Sequence, residues 1–328
     1  MTVSLLISNE CDYLDAHGDQ DQVLRYKKYQ AERMNDPKLS KEYPWTFEVV
    51  DGIFQQSDSS TEDRTFSYVE NNFGRLKSWQ EISDTLDSLN ANAASNVSYK
   101  LIFCARHGQG YHNYIVEKYG LEQWHAKWHC LGTDGEVTYG PDAMLTELGM
   151  NQAKENHQAW KKELALGAPI PDAFYVSPLQ RSSWTLQMTW DGLRPQEKQP
   201  IVTENLRETL GVNLCDKRST RLVIESRFKP HGFVIEEGFS EEDKLWLPDY
   251  REEYFEQSIR VDQFLQSLFN REWDEKSNLI IKQNQHKVVS TTSHAGTIRG
   301  FITVLGHRPF TISTGGMIPI FVKATRHI

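Results

Sequence analysis

Apolar positions along the chain change their period near residue 99. Before it they are sparse and mostly helical in spacing. QVLRYKKYQAERM (22–34) reads as a surface helix. In SWQEISDTLDSL, Trp79, Ile82, Leu86 and Leu89 share one face behind a Ser78/Glu81 capping box. YPWTFEVVDGIF, between these two, is aromatic and alternating enough for a strand, and NANAASNVS is a small polar loop leading onward. After residue 99 short unbroken apolar runs appear at KLIFCA, DAFYVS, KVVSTT and MIPIFVKA, with helical patterns over roughly 147–166, 179–191, 251–271 and 296–305 between them. Strands alternating with helices predict an α/β fold, a three-layer α/β/α arrangement around a mostly parallel central sheet. The expected division is an N-terminal extension, 1–98, packed on a domain spanning 99–328, with insertions near 115–144 and 211–250 that cover its site.

In such sheets ligands sit beyond the carboxyl ends of the strands, so reactive residues are expected just after the apolar runs. KLIFCA is followed by Arg106-His107-Gly108, DAFYV by Ser177-Pro178-Leu179-Gln180-Arg181, and KVVSTTS by His294-Ala295-Gly296. Three strand ends therefore deliver two arginines and two histidines to one edge. Ser177 as N-cap and Pro178 at the first helical position are expected to start a helix there, with Arg181 in its first turn. Gly108 and Gly296 let backbone approach a ligand closely and are expected to leave N–H groups free for an anion. Guanidinium groups suit a tetrahedral phosphate because they donate in a planar fork.

Composition narrows the function classes. The chain has 328 residues and a net charge of -9, an acidic balance that argues against non-specific nucleic-acid binding and against a polybasic membrane patch. Four cysteines without CxxC spacing make neither a disulfide scaffold nor a zinc motif. The start, MTVSLLISNECDYLDAHGD, lacks a basic n-region, and the expected location is the cytoplasm. The lone sequon, Asn96-Val97-Ser98, bears on the protein only if it is exported.

Taken together the motifs resemble the histidine phosphatase superfamily, which includes the cofactor-dependent phosphoglycerate mutases and many phosphatases. The resemblance covers roughly 99–328. ARHGQGYHN is similar to the superfamily's RHG-x-x-x-x-N signature, LTELGMNQA to its LTxxGxxQA helix start, and SPLQRSSWT to its second arginine motif. NLRETLG resembles its L-x-E element, SHAGTIRG its second-histidine motif, and TGGMIPIF its last strand. The front end resembles fungal phosphomutase-type members.

That resemblance implies a phosphoglycerate mutase-like fold and an acid phosphatase-like phosphoric monoester hydrolase acting on a phosphorylated small molecule, with no metal or cofactor. His107 would be the nucleophile and pass through a phosphohistidine, while Arg106, Arg181 and His294 would hold the phosphoryl oxygens. Asn113 matches a phosphate-binding position, although a loop asparagine equally caps a helix. Some members place an aspartate after the second histidine. Here that position is Ala295, so the proton donor is expected to be Glu208, with Glu204 as the fallback. Glu208 has an alternative reading as an arginine partner.

Two insertions bear on the substrate. Lys217, Arg218, Arg221, Arg227, Lys229 and His231 either line the mouth for a multiply phosphorylated substrate or pair locally with Glu225, Glu236 and Glu237. His125 and His129 lie four apart, but without the glutamate of HExxH and beside Trp124 and Trp128 they read as an aromatic cap. The basic substrate loop of phosphoglycerate mutases is not found. A phosphomutase, or a catalytically silent phosphate-binding module, are the alternatives. Oligomeric state and physiological substrate stay open.

Overall fold

The computed structural model describes residues 3–282 and 285–327. Among the described residues nine strands are present: β1 Trp45–Val49, β2 Val97–Arg106, β3 Ala173–Val176, β4 Ile201–Val202, β5 Val234–Ile235, β6 Trp273–Asp274, β7 Leu279–Ile280, β8 Val288–Ser293 and β9 Met317–Arg326. Seven form the central sheet in the order β1-β9-β2-β8-β3-β4-β5, and β6 and β7 form a separate ribbon. From β2 to β5 every pairing is parallel, while β9 runs antiparallel to both β2 and β1.

The unbroken apolar runs follow from burial on both faces. In β2, Ile102 and Cys104 join one core layer, and Leu101 and Phe103 join the other. One layer packs under helices Gln20–Arg33, Tyr254–Asn270 and Ala295–Leu305. The opposite layer packs under Trp79–Asn92, Glu147–Ala165, Gln180–Thr189 and Arg221–Phe228. The fold is thus three-layer and mostly parallel, as the periodicity predicts.

Two local expectations change. The helix expected on the surface buries Tyr26 and Arg33, both of which reach Asp262 on helix Tyr254–Asn270. The helix after β3 begins at Gln180 with Leu179 as N-cap, so Ser177 does not cap it. Its first N–H, from Gln180, is taken by the Asp142 carboxylate at 2.8 Å, while the Ser177 hydroxyl accepts Leu179 N at 3.3 Å and faces His294 at the neighbouring strand end. By contrast, Ser78 and Glu81 make the expected capping box, worth roughly 1 kcal/mol.

Candidate active site

Strand register builds the site. β8 lies between β2 and β3, with Arg106 opposite Ser293 and Val176 opposite Thr292. One residue further on, the backbone N–H of His107 donates to Ser293 O at 3.0 Å and that of Ser177 to Thr292 O at 3.0 Å. The three strand ends therefore leave the sheet together, and the His107 and His294 rings stand 4.9 Å apart at 60°. Gly108 and Gly149 make the closest approach: a Cβ on Gly108 would stand 2.3 Å from Gly149 O, and backbone cannot move aside cheaply. The start of helix Glu147–Ala165 is thereby pressed onto the RHG turn.

His107 is buried, and its ring makes two hydrogen-bond contacts. Its Nδ1 lies 2.6 Å from Gly108 O, and Arg181 Nε donates to its Nε2 at 3.4 Å. A carbonyl oxygen only accepts, so Nδ1 carries the proton and Nε2 presents a lone pair. Desolvation, followed by the charges of Arg181 and Arg106, holds the ring well below the ordinary histidine pKa. His107 is a neutral imidazole with its lone pair on the nitrogen nearest the guanidinium.

Arg181 is fully buried; its Nη1 donates to Cys215 O at 2.9 Å and its Nη2 to Asp216 at 2.8 Å. Arg106 donates through Nη1 to Asp12 at 2.5 Å and to Ile312 O at 2.6 Å, while its buried Nε has no partner among the described residues. His294 Nε2 contacts the hydroxyls of Ser177 at 2.8 Å and Ser182 at 3.3 Å, leaving its buried Nδ1 unpartnered. A second unpartnered ring nitrogen belongs to His112, whose ring lies 5.5 Å from His107. Desolvation first, then Arg181, lowers both His112 and His294 well below the usual imidazole range.

Glu208 stands beside the second-histidine turn. Its Oε2 accepts from Gly296 N at 3.3 Å, and its Oε1 from Thr209 N at 2.9 Å and Gln257 Nε2 at 3.2 Å. A cavity of about 230 Å³ opens over His107, Arg106, Asn113 and Glu208, while Arg181 and His294 lie behind its wall. Glu204 is turned elsewhere, onto Arg207 and Arg218.

The structure corrects two expectations and gives Asn113 a capping contact besides its place at the cavity. Neither glycine N–H is free: that of Gly108 donates to Thr185 Oγ1 at 3.0 Å, and that of Gly296 is the one held by Glu208. Asn113 Oδ1 accepts Gly110 N at 2.9 Å at the start of helix Tyr111–Tyr119, so it caps the helix from the cavity edge. None of the six basic residues of 211–233 lines the cavity. Arg218 bonds Glu204 and the 240–242 carbonyls, Arg221 pairs with Glu225, Arg227 with Asp142, and Lys217 lies over Trp246. Pairing with Glu204 and Asp142 from outside the insertion, and with Glu225 inside it, holds Arg218, Arg227 and Arg221 away from the mouth. In the other insertion Trp124 joins a buried cluster with Ile115, Tyr139 and Cys215, and His129 Nδ1 meets Trp124 O at 3.0 Å.

Asp12, Asp15, His112 and Asp216 were not singled out by the sequence reading. His112 had a signal, its place inside the RHG motif, whereas Asp12 lies 94 positions from Arg106 and had none.

A doubly covered α/β sheet that brings two imidazoles and two guanidiniums to one strand-end cavity has the phosphoglycerate mutase-like fold. A family model, Histidine phosphatase superfamily (branch 1), matches residues 123–313, and the chain belongs to that superfamily. Arg181, Glu208 and His294 fall within the matched segment; Arg106 and His107 precede it. A "Probable phosphoglycerate mutase" of Arthroderma benhamiae is 36% identical over 297 residues, covering 85% of this chain and 84% of that protein. "Phosphomutase-like protein 3" of Candida albicans is 36% identical over 253 residues, covering 77% and 72%. A "Probable phosphoglycerate mutase" of Saccharomyces cerevisiae is 30% identical over 270 residues, covering 75% and 85%. Among the described residues no helix is long and apolar enough to cross a membrane.

Proposed function

We propose that this protein is a phosphomonoester hydrolase that works without a metal through a phosphohistidine on His107. The observation that carries the reading is the tautomer of His107, with Nδ1–H on Gly108 O and the Nε2 lone pair beside Arg181. In the first half-reaction Nε2 attacks phosphorus, the N–P bond forms and the P–O bond to the alcohol breaks. The carboxyl of Glu208 gives its proton to the departing oxygen. In the second, water attacks phosphorus, the N–P bond breaks, and Glu208 takes the water's proton. Arg106, Arg181 and His294 hold the phosphoryl oxygens and spread the charge that develops on them. Asn113 contributes through its amide at the cavity edge.

A phosphomutase is the second reading, favoured by the names of the relatives. It would return the phosphoryl group from His107 to a substrate hydroxyl and exclude water. Quenched single-turnover labelling with a radiolabelled generic monoester, wild type beside His107→Ala, decides between them. Acid-labile, alkali-stable label on the wild type alone, followed by free phosphate, is the expected result. Label that returns to a phosphorylated product would make the protein a mutase. Absence of label and release, with phosphate still bound, would make it a silent module.

A further inference from the structure

The charges around the cavity are unequal. Carboxylates of Asp12, Asp15, Glu117, Glu208 and Asp216 line it, against the guanidiniums of Arg106, Arg251 and Arg299. Those outside the phosphoryl cluster are already committed. Arg251 donates to Asp216 at 3.0 Å and to the Thr209 and Gly211 carbonyls, and Arg299 pairs with Asp19 at 3.1 Å while stacking on Tyr254. Among the described residues three cavity carboxylates have no such partner: Glu208 and Glu117 meet only neutral donors, and half-exposed Asp15 comes no nearer than 3.9 Å to Arg106. Val116, Leu121 and Trp124 supply an apolar wall. Once Arg106 and Arg181 are given to the phosphoryl group, the remaining cavity-lining guanidiniums, Arg251 and Arg299, each already face a carboxylate, Asp216 and Asp19.

We infer that the site takes phosphomonoesters whose alcohol body carries no second anionic group, and that Asp15 is a specificity residue repelling esters that bear a carboxylate or another phosphate. The inference rests on the phosphoryl site proposed above and adds the class of substrate. An anionic substituent would face Asp15 and Glu117 across a partly enclosed cavity, where screening is weaker than in bulk water. A hydroxyl or ammonium group there would instead donate to Asp15. Desolvation raises the Asp15 carboxyl to about 6 against Arg106, with Glu208 and Asp12 adding to the rise and Arg299 opposing it. The repulsion is therefore in force at pH 7.5 and fades as pH falls through 6.

Glycerol 3-phosphate and 3-phosphoglycerate test this, because they differ only by a hydroxymethyl group in place of a carboxylate. Calorimetric binding to full-length protein and kcat/KM are measured for both at pH 7.5, with p-nitrophenyl phosphate reporting general phosphatase activity. Glycerol 3-phosphate should be preferred by about 10-fold or more, a difference equivalent to one Coulombic contact at intermediate dielectric. Asp15→Asn should shrink that preference to about 3-fold or less, chiefly by improving 3-phosphoglycerate. Equal or tighter binding of 3-phosphoglycerate overturns the inference, as does an Asp15→Asn variant that weakens both esters alike, or failure of both to bind. If no ester is turned over, the hydrolase reading fails, while the calorimetric preference still decides the substrate class.

Discussion

Arg181 Nε donates to His107 Nε2 across 3.4 Å inside a wall that excludes solvent from both side chains. This contact makes His107 a nucleophile-shaped imidazole, since a neighbouring guanidinium disfavours protonation and its donor identifies the lone pair. It is held from behind by Asp216 at 2.8 Å and Cys215 O at 2.9 Å. Lysine at 181 would keep the charge and lose the fork that meets imidazole and carboxylate together. Arg181→Lys should lower kcat/KM by about 100-fold or more, and Asp216→Asn by about 10-fold, mainly in KM. Steady-state kinetics with p-nitrophenyl phosphate measures both. Wild-type parameters in Asp216→Asn would show that the aspartate does not position Arg181.

The role of Glu208 separates by leaving group. Glu208→Gln should reduce turnover of alkyl phosphates by about 100-fold or more and that of p-nitrophenyl phosphate much less, because a good leaving group needs no proton. Equal losses on the two substrates would assign Glu208 to holding Gly296 and Thr209 in place.

Buried, neutral histidines set an acid limit on stability. His107, His112 and His294 all have folded-state pKa values well below the ordinary one, by desolvation first and then by Arg181. Below about 6.5 the unfolded chain takes up protons that the folded chain refuses. Their contribution to stability is therefore full above that pH and lost as pH falls beneath it, at about 1.4 kcal/mol per unit for each histidine. Urea unfolding between pH 7.5 and 5 should show this slope, and His112→Asn should reduce it by about one proton. An unchanged slope in the variant would mean that His112 is not held neutral.

Asp15 titrates in the opposite sense. Its folded pKa of about 6 lies above that of an unfolded aspartate, so stability is present at low pH and is lost as pH rises through 6. Asp15→Asn should raise Tm at pH 7.5 and leave it unchanged at pH 3.5, as thermal melts at the two values would show. A lower Tm at pH 7.5 would mean that the carboxylate is stabilised by Arg106 more than it is strained by its surroundings.

Asp12 meets Arg106 at 2.5 Å with both side chains buried. Removing the carboxylate leaves a desolvated guanidinium with only the more distant Asp15 beside it, so Asp12→Ala should cost about 3 kcal/mol of unfolding free energy in denaturant titration. A cost under about 1 kcal/mol would show that Ile312 O and solvent suffice.

Much of the site was legible along the chain because the fold converts strand order into proximity. A parallel strand delivers whatever follows its last apolar residue to one edge, so Arg106, His107, Arg181 and His294 were readable from position alone. Their spacing was not, because it depends on β8 lying between β2 and β3. The aromatic-cap reading fits Trp124, which joins a buried cluster, while His125 lines the cavity. The basic stretch at 211–233 misled because its partners, Glu204, Asp142 and the 240–242 carbonyls, are brought to it by the tertiary fold, two of them from outside the insertion. The glycine amides misled because tight packing supplied Thr185 and Glu208 as acceptors.

By itself the sequence determined the layer architecture and the set of reactive groups, since burial on two faces writes unbroken apolar runs and the strand ends locate the chemistry. Only the tertiary structure decided which charges those groups meet. Helix Glu10–His17, far upstream in the chain, brings Asp12 to Arg106 and Asp15 to the cavity mouth, and the loop after Glu208 brings Asp216 to Arg181. Helical periodicity states which face a residue occupies and carries no record of the surface that face will meet. The electrostatic character of the cavity therefore arises with the folded packing.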